Sequence, residues 1–252
     1  MTSDVIIRKS AAEIAVMREA GRITALALEA VGGAVRPGVT TAELDEIAES
    51  TIRSYGAAPA FKGYRGFPAS ICASPNDTIV HGIPGGLKLK SGDIFSVDVG
   101  AVFEGFYGDS ARTFPVGTIS ALAQRLLDAT QAGLAAGIAQ CWPGRRLGDV
   151  GHAVQEVAED AGFAVVREYV GHGIGRAMHE DPSVPNYGTP GRGVVLAEGM
   201  VLAIEPMVNA GGAKTLSLDD GWTVITADGT LSAHFEHTVA ITSDGPVVLT
   251  MV

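Results

Sequence analysis

Asp98 and Asp109 flank a predicted hairpin in the segment SVDVGAVFEGFYGDSART. Asp98 follows an apolar stretch that reads as a strand, Ile94–Val99, where an unpaired carboxylate would be costly to bury. A turn near Phe103–Gly105 brings the two aspartates opposite one another or offset by a step. Two close carboxylates repel and do not both ionise without a cation, a conflict that a metal ion removes. Two solvated hairpin aspartates are the plainer alternative. Glu205 ends the apolar run MVLAIE, and Glu236 lies in AHFEHTVAI, read as another apolar strand. Singly, either glutamate could be a salt-bridged core residue. Together the four carboxylates on strand-like segments favour an oxygen-rich site for more than one metal ion.

Histidine supplies further candidates. His172 sits in VGHGIG, His179 follows it in MHEDP, and His81 lies in VHGIPGG. Glycines beside His81 and His172 let the backbone approach a site closely. His152 is expected on a helix with an ordinary role, and His234 and His237 are expected to be structural or to support the site from behind. Other chemistries find little support. His179-Glu180 does not begin HExxH, because position 183 is Ser, and the chain contains no P-loop and no GxSxG elbow. Cys72 and Cys141 are the only thiols and lack CxxC spacing, so neither a disulfide scaffold nor a cysteine-rich zinc site is suggested.

Four helices must position these groups. Ala11–Val35 and Ala121–Trp142 have helical periodicity, the second with Leu122, Leu126, Leu134 and Ile138 on its stripe. Each ends at a Pro-Gly pair, Pro37-Gly38 and Pro143-Gly144, and each precedes a second amphipathic helix, Thr41–Tyr55 and Leu147–Ala161. Thr41 and Asp149 are the expected start signals of these second helices. Strands are expected at Met200–Ile204, Trp222–Thr226 and Phe235–Ile241, with Glu104-Gly105 and Gly108 as turn material. At an offset of 106, Pro37 falls on Pro143 and Gly56 on Gly162; at 107, SGDIFSVD falls on EGMVLAIE. Both copies of that segment end in a carboxylate. The pattern is a duplicated α+β unit whose halves pack around a shared site.

The ordered set Asp98, Asp109, His172, Glu205 and Glu236, with His81 and His179, resembles the methionine aminopeptidase family, type I, bacterial-like. The resemblance runs from the first helix to the last strand through CASPNDTIVHGIPG, SVDVG, GDSART, GHGIGRAMHEDPSVPNYG, IEPMV and FEHTVAIT. It implies the α+β pita-bread fold, with pseudo-two-fold related halves, and two divalent ions (Co, Mn, Fe or Zn) at their junction. In it Asp98 chelates one metal, Asp109 and Glu236 bridge both, and His172 and Glu205 complete the other. Glu205 also shuttles a proton, His179 hydrogen-bonds the scissile carbonyl, and His81 contacts the scissile amide. The implied methionine pocket comprises Phe61, Tyr64, Phe67, Cys72, Met178 and Trp222. Phe61 replaces a small residue and Met178 an aromatic one of the commonest bacterial pattern. Asn76 and Ser232 match a monovalent-cation site of relatives.

The implied activity is removal of the initiator methionine from nascent chains, before a small second residue. The long insertion of type II is missing between His179 and Glu205 and between Glu205 and Glu236, and no N-terminal zinc-binding extension is expected. Two competing readings remain: a same-fold Xaa-Pro aminopeptidase, and a non-catalytic pita-bread binding protein.

The whole chain frames this reading. Its 252 residues are 46% hydrophobic, enough for a sizeable core, so global disorder is excluded. We expect one catalytic domain over residues 1–252, with halves of about 11–118 and 119–252. The net charge of −10 argues against unaided binding to nucleic acid or anionic membranes. With neither a signal-peptide core nor a long apolar run, a cytoplasmic protein is expected; the resemblance implies a monomer making transient ribosome contact.

Overall fold

A computed structural model describes residues 6–252. Helix α1 (Ala11–Ala34) starts at Ser10, whose hydroxyl accepts from the Glu13 amide while Glu13 reaches back to the Ser10 amide. Helix α2 (Thr41–Ser54) repeats this capping box with Thr40 and Glu43. Helix α3 (Ala121–Ile138) is capped by Ser120, and helix α4 (Leu147–Asp160) by Arg146, whose amide donates to Asp149. The start signals therefore sit differently from expectation. Thr40, not Thr41, caps α2, and Asp149 acts from the third helical position of α4.

The duplication is present in three dimensions. Gly38 and Gly144 both take left-handed φ values, 91° and 89°. Their amides donate to Leu89 and Leu196, positions related by nearly the same offset. Thr40 bridges Lys88 as Arg146 bridges Val195, just before two helices of 14 residues each.

In the first half, a long hairpin joins Ile94–Phe103 to Phe106–Pro115 through the turn at Glu104-Gly105. Ile94–Phe103 also pairs with Ile71–Pro75 and Ala58–Pro59, completing a four-stranded sheet. Helices α1 and α2 cover it through Ile23, Val31, Leu44 and Ile52, which pack with Phe95, Val97 and Val99. The second half holds a five-stranded antiparallel sheet in the order Gly245–Val248, His237–Thr242, Val201–Ile204, Gly171–Gly173, Glu180–Val184. Its core is built on α3 and α4, with Leu126, Leu134, Val150 and Ala158 against Leu202, Ile204, Val239 and Ile241.

Several local expectations are corrected. Helix α3 ends at Ile138, and Cys141 lies in the following turn, with its thiol buried and donating to Gly137 O. Leu122 is exposed; the buried stripe of α3 runs instead through Ala123, Leu126, Leu127, Thr130 and Leu134. Gly108 is not in a turn but within Phe106–Pro115, where α1 crosses the strand at Gly21. A Cβ on Gly108 would stand 2.7 Å from the Gly21 nitrogen, so the crossing requires glycine. Phe235 and Glu236 fall between Ser232–His234 and His237–Thr242, in a break that the apolar run concealed. Trp222 precedes the strand Val224–Thr226 rather than opening it, and Met200 likewise precedes Val201–Ile204.

Candidate metal centre and substrate cavity

The hairpin register sets the first pair of acids. Asp98 faces Ala111 and Asp109 faces Gly100, so the aspartates are offset by two residues and share one face of the sheet. Glu236 reaches that face because its amide donates to Ala111 O at 2.9 Å. The irregular backbone at Glu236 thus inserts a carboxylate from the second half beside the aspartates of the first. Glu205 follows directly on Val201–Ile204, and Asn186 Nδ2 holds its carbonyl at 3.0 Å.

Hydroxyls stitch the halves together behind these acids. Thr238 accepts from the Asp109 amide at 3.0 Å and donates to the Asp109 carbonyl at 2.8 Å. Ser110 Oγ donates to Glu236 O at 2.7 Å. Thr113 Oγ1 donates to His234 O and accepts from the His234 amide, each at 2.9 Å. All these groups are buried, so the stitches fix the backbone of two proposed ligands without a side chain of either.

His172 closes the centre. Its Nδ1 lies 2.9 Å from Gly173 O, which makes Nδ1 the protonated nitrogen and leaves the Nε2 lone pair free. That Nε2 stands 3.5 Å from Glu205 Oε1 and 3.7 Å from Asp109 Oδ2. Asp109, His172 and Glu236 each offer a ligand atom, all within 4.8 Å of one another.

This nest is electrostatically unsustainable as four bare anions. Burial lifts the Asp98 carboxyl to about 7. Burial and the neighbouring acids push Asp109, Glu205 and Glu236 well above the usual carboxylate range. Burial also depresses the imidazoles, His172 and His234 to about 3 and His81 to about 4, so none of the three supplies a compensating positive charge at neutral pH. Buried Asp98 Oδ1, Asp109 Oδ1 and Glu236 Oε1 have no hydrogen-bond partner. Orphaned anionic oxygens converging beside a free imidazole nitrogen fit divalent cations, which take oxygen and imidazole ligands.

One cavity joins this nest to an apolar pocket. Asp98, Asp109, His172, Glu205 and Glu236 line it, as do His81 and His179. Phe61, Tyr64, Phe67, Cys72, Met178 and Trp222 form the remaining wall. Phe67 and Trp222 meet edge-to-face at 5.1 Å, and Cys72 pairs across the sheet with Asp98, placing the thiol beside the acids. At the mouth, the Tyr64 hydroxyl stands 2.9 Å from His179 Nδ1, and the rings of His179 and His172 are 4.2 Å apart. Partial burial and the Arg65 cation lower the pKa of His179, keeping it neutral at pH 7. Asn76 and Ser232 do not line the cavity; the Ser232 amide donates to Asn76 O at 2.8 Å elsewhere in the fold.

Two neighbours, Tyr169 and Arg65, escaped the sequence reading, while His234 is one of the residues expected to be structural or to support the site from behind. His234 Nε2 comes within 3.8 Å of Glu205 Oε2, and Tyr169 meets His81 edge-on at 5.8 Å. Arg65 lines the cavity mouth. Its only signal was the glycine on either side, at positions 63 and 66.

Acids that need a cation, wedged between two copies of one folding unit and opening on an apolar pocket, define a metal-dependent hydrolase. The model of metallopeptidase family M24 matches residues 15–243, and the chain belongs to that family. It is 53% identical over 248 residues to methionine aminopeptidase 1 of Bacillus subtilis, covering 98% of this chain and all of the relative. Methionine aminopeptidase of Clostridium perfringens is equally similar, 53% identical with the same coverage. The crystal structure of methionine aminopeptidase from Thermotoga maritima superposes with a TM-score of 0.97 at 47% identity, covering 98% of this chain and 100% of that one.

Proposed function

We propose that the chain removes N-terminal methionine from nascent proteins and peptides, favouring a small second residue. The observation that carries this reading is the single cavity in which the acid–histidine nest adjoins a pocket of aromatic rings, a thiol and Met178. An unbranched thioether suits soft, polarisable walls of that kind. The full-length similarity to methionine aminopeptidases supports the same substrate.

Asp98, Asp109, His172, Glu205 and Glu236 would hold two divalent ions drawn from Co, Mn, Fe and Zn. When bound, such ions polarise the scissile carbonyl and lower the pKa of water from ~15.7 towards ~7. Glu205, whose burial raises its proton affinity, takes a proton and passes it to the departing amine. With the Tyr64 hydroxyl donating to Nδ1, His179 carries its own proton on Nε2. That N–H is the donor for the carbonyl oxygen as charge develops there. His81, neutral at pH 7, acts by hydrogen bonding to the scissile amide rather than as a cation. The apolar wall fixes the methionine side chain and so selects which peptide bond is presented.

On the same reading the chain works as one domain of two halves in the cytoplasm, as a monomer that contacts the ribosome transiently. No helix among the described residues is long and apolar enough to cross a membrane. Asn76 and Ser232 are our candidates for one monovalent cation.

The test is methionine release from Met-Ala and Met-Gly peptides against Met-Lys and Xaa-Pro controls. Release is expected from the first pair only, to be abolished by a chelator and restored by Mn, Co or Fe. A folded, metal-reconstituted sample that releases no methionine overturns the reading.

A further inference from the structure

The cavity mouth carries a cation with no assigned task. Among the described residues, Arg65 is the one lysine or arginine lining a cavity that four acids also line. It is exposed, and none of the described carboxylates forms an ion pair with it. Its backbone is left-handed at φ 49°, an unfavourable state for a residue with a Cβ, between Gly63 at 86° and Gly66 at 92°. The guanidinium lies over the Tyr64 ring, 5.3 Å from its centroid, and that tyrosine is bonded to His179. A strained turn therefore presents a free guanidinium on the His179 side of the mouth.

The position matters because of the direction in which substrate must leave. This step rests on the function proposed above. The methionine side chain enters the apolar pocket and its carbonyl meets His179, so the residues after the scissile bond pass outward by the mouth. We propose that Arg65 is a specificity-determining residue that favours substrates carrying a carboxylate just beyond the scissile bond, at the third or fourth residue. Guanidinium groups pair carboxylates through two parallel N–H donors, and stacking on Tyr64 preorganises the fork. The same chemistry is offered by the C-terminal carboxylate of a short peptide, whereas the acidic side chain is the source available in a long nascent chain.

The experiment compares kcat/KM for Met-Ala-Asp-Ser-amide and Met-Ala-Asn-Ser-amide, with Met-Ala-Ser as free acid and as amide reporting the terminal carboxylate. The metal-reconstituted full chain is used as wild type, Arg65→Lys and Arg65→Asn, since asparagine tolerates the left-handed turn. Wild type is expected to prefer Asp over Asn by about threefold to tenfold, a difference of about 0.7–1.4 kcal/mol. The preference should shrink in Arg65→Lys, vanish in Arg65→Asn, and weaken in wild type as salt rises. A wild-type ratio of one, or a ratio unchanged in Arg65→Asn, overturns the proposal. So does a preference confined to the free-acid tripeptide. Failure of all four peptides to release methionine would remove the underlying function and this proposal with it, an outcome distinct from a ratio of one.

Discussion

At the residue scale, tautomers and orphaned oxygens do most of the explaining. His172 is aimed by Gly173 O and His179 by the Tyr64 hydroxyl, so an imidazole on the strand Gly171–Gly173 and one in the segment that follows it present opposite faces of their chemistry. On the proposed function, one would offer a lone pair to a cation and the other an N–H to a carbonyl. The variant His179→Ala should therefore keep its metal content, measured by atomic emission, while kcat falls about 10²–10³-fold, the usual cost of one oxyanion donor. Loss of metal in that variant would contradict the assignment. Tyr64→Phe should lower kcat in the same direction by freeing the ring of His179, with methionine binding measured separately as product inhibition. Most of these groups were legible beforehand because their types and spacing are chemically costly: acids on apolar strands, histidines among glycines. Arg65 was not, since an arginine in a polar turn looks like any solvated cation until the fold shows which cavity the turn borders.

At the element scale, the hairpin and the break at Glu236 decide the geometry. Helix starts and the duplication could be anticipated from Pro-Gly pairs and periodicity, although α3 ends at Ile138 rather than at Trp142. The break after His234 could not, because AHFEHTVAI reads as one continuous strand and gives no sign that the Glu236 amide bonds to Ala111 instead of continuing a ladder. Gly108 was misread for a related reason. Its glycine serves the close crossing of α1, a contact with a distant segment that local turn chemistry mimics. Gly108→Ala should lower stability by about 1–3 kcal/mol through overpacking, read as a reduced urea midpoint with an unchanged slope. An unchanged midpoint would mean that the helix lifts off the strand without penalty.

At the scale of the whole molecule, the proposed ligand set puts metal and proton in competition for the same oxygens. Asp98 is raised from 3.8 to about 7, so between those values the folded, metal-free chain holds a proton that the unfolded chain releases. Its contribution to stability therefore declines as pH rises through that window. The depressed histidines work in the opposite sense, costing stability as pH falls below about 6.5. On that ligand set divalent ions would replace the carboxyl protons, so their stabilising effect should be larger at pH 8 than at pH 5. Free metal at about one hundred times Kd would add about 2.7 kcal/mol at the higher pH. Thermal melts with and without Mn at the two pH values check this; equal increments would show that the acids are not its ligands.

The threonine and serine stitches also give the chain a timetable. Asp98 and Asp109 are synthesised early, His172 and Glu205 later, and Glu236 last, on a segment that must bond back to Ala111 before the acids meet. Neither half alone holds the complete set of proposed ligands. On the proposed ligand set, a copy still emerging from the ribosome would stay inert until the segment carrying Glu236 is made and bonded back to Ala111.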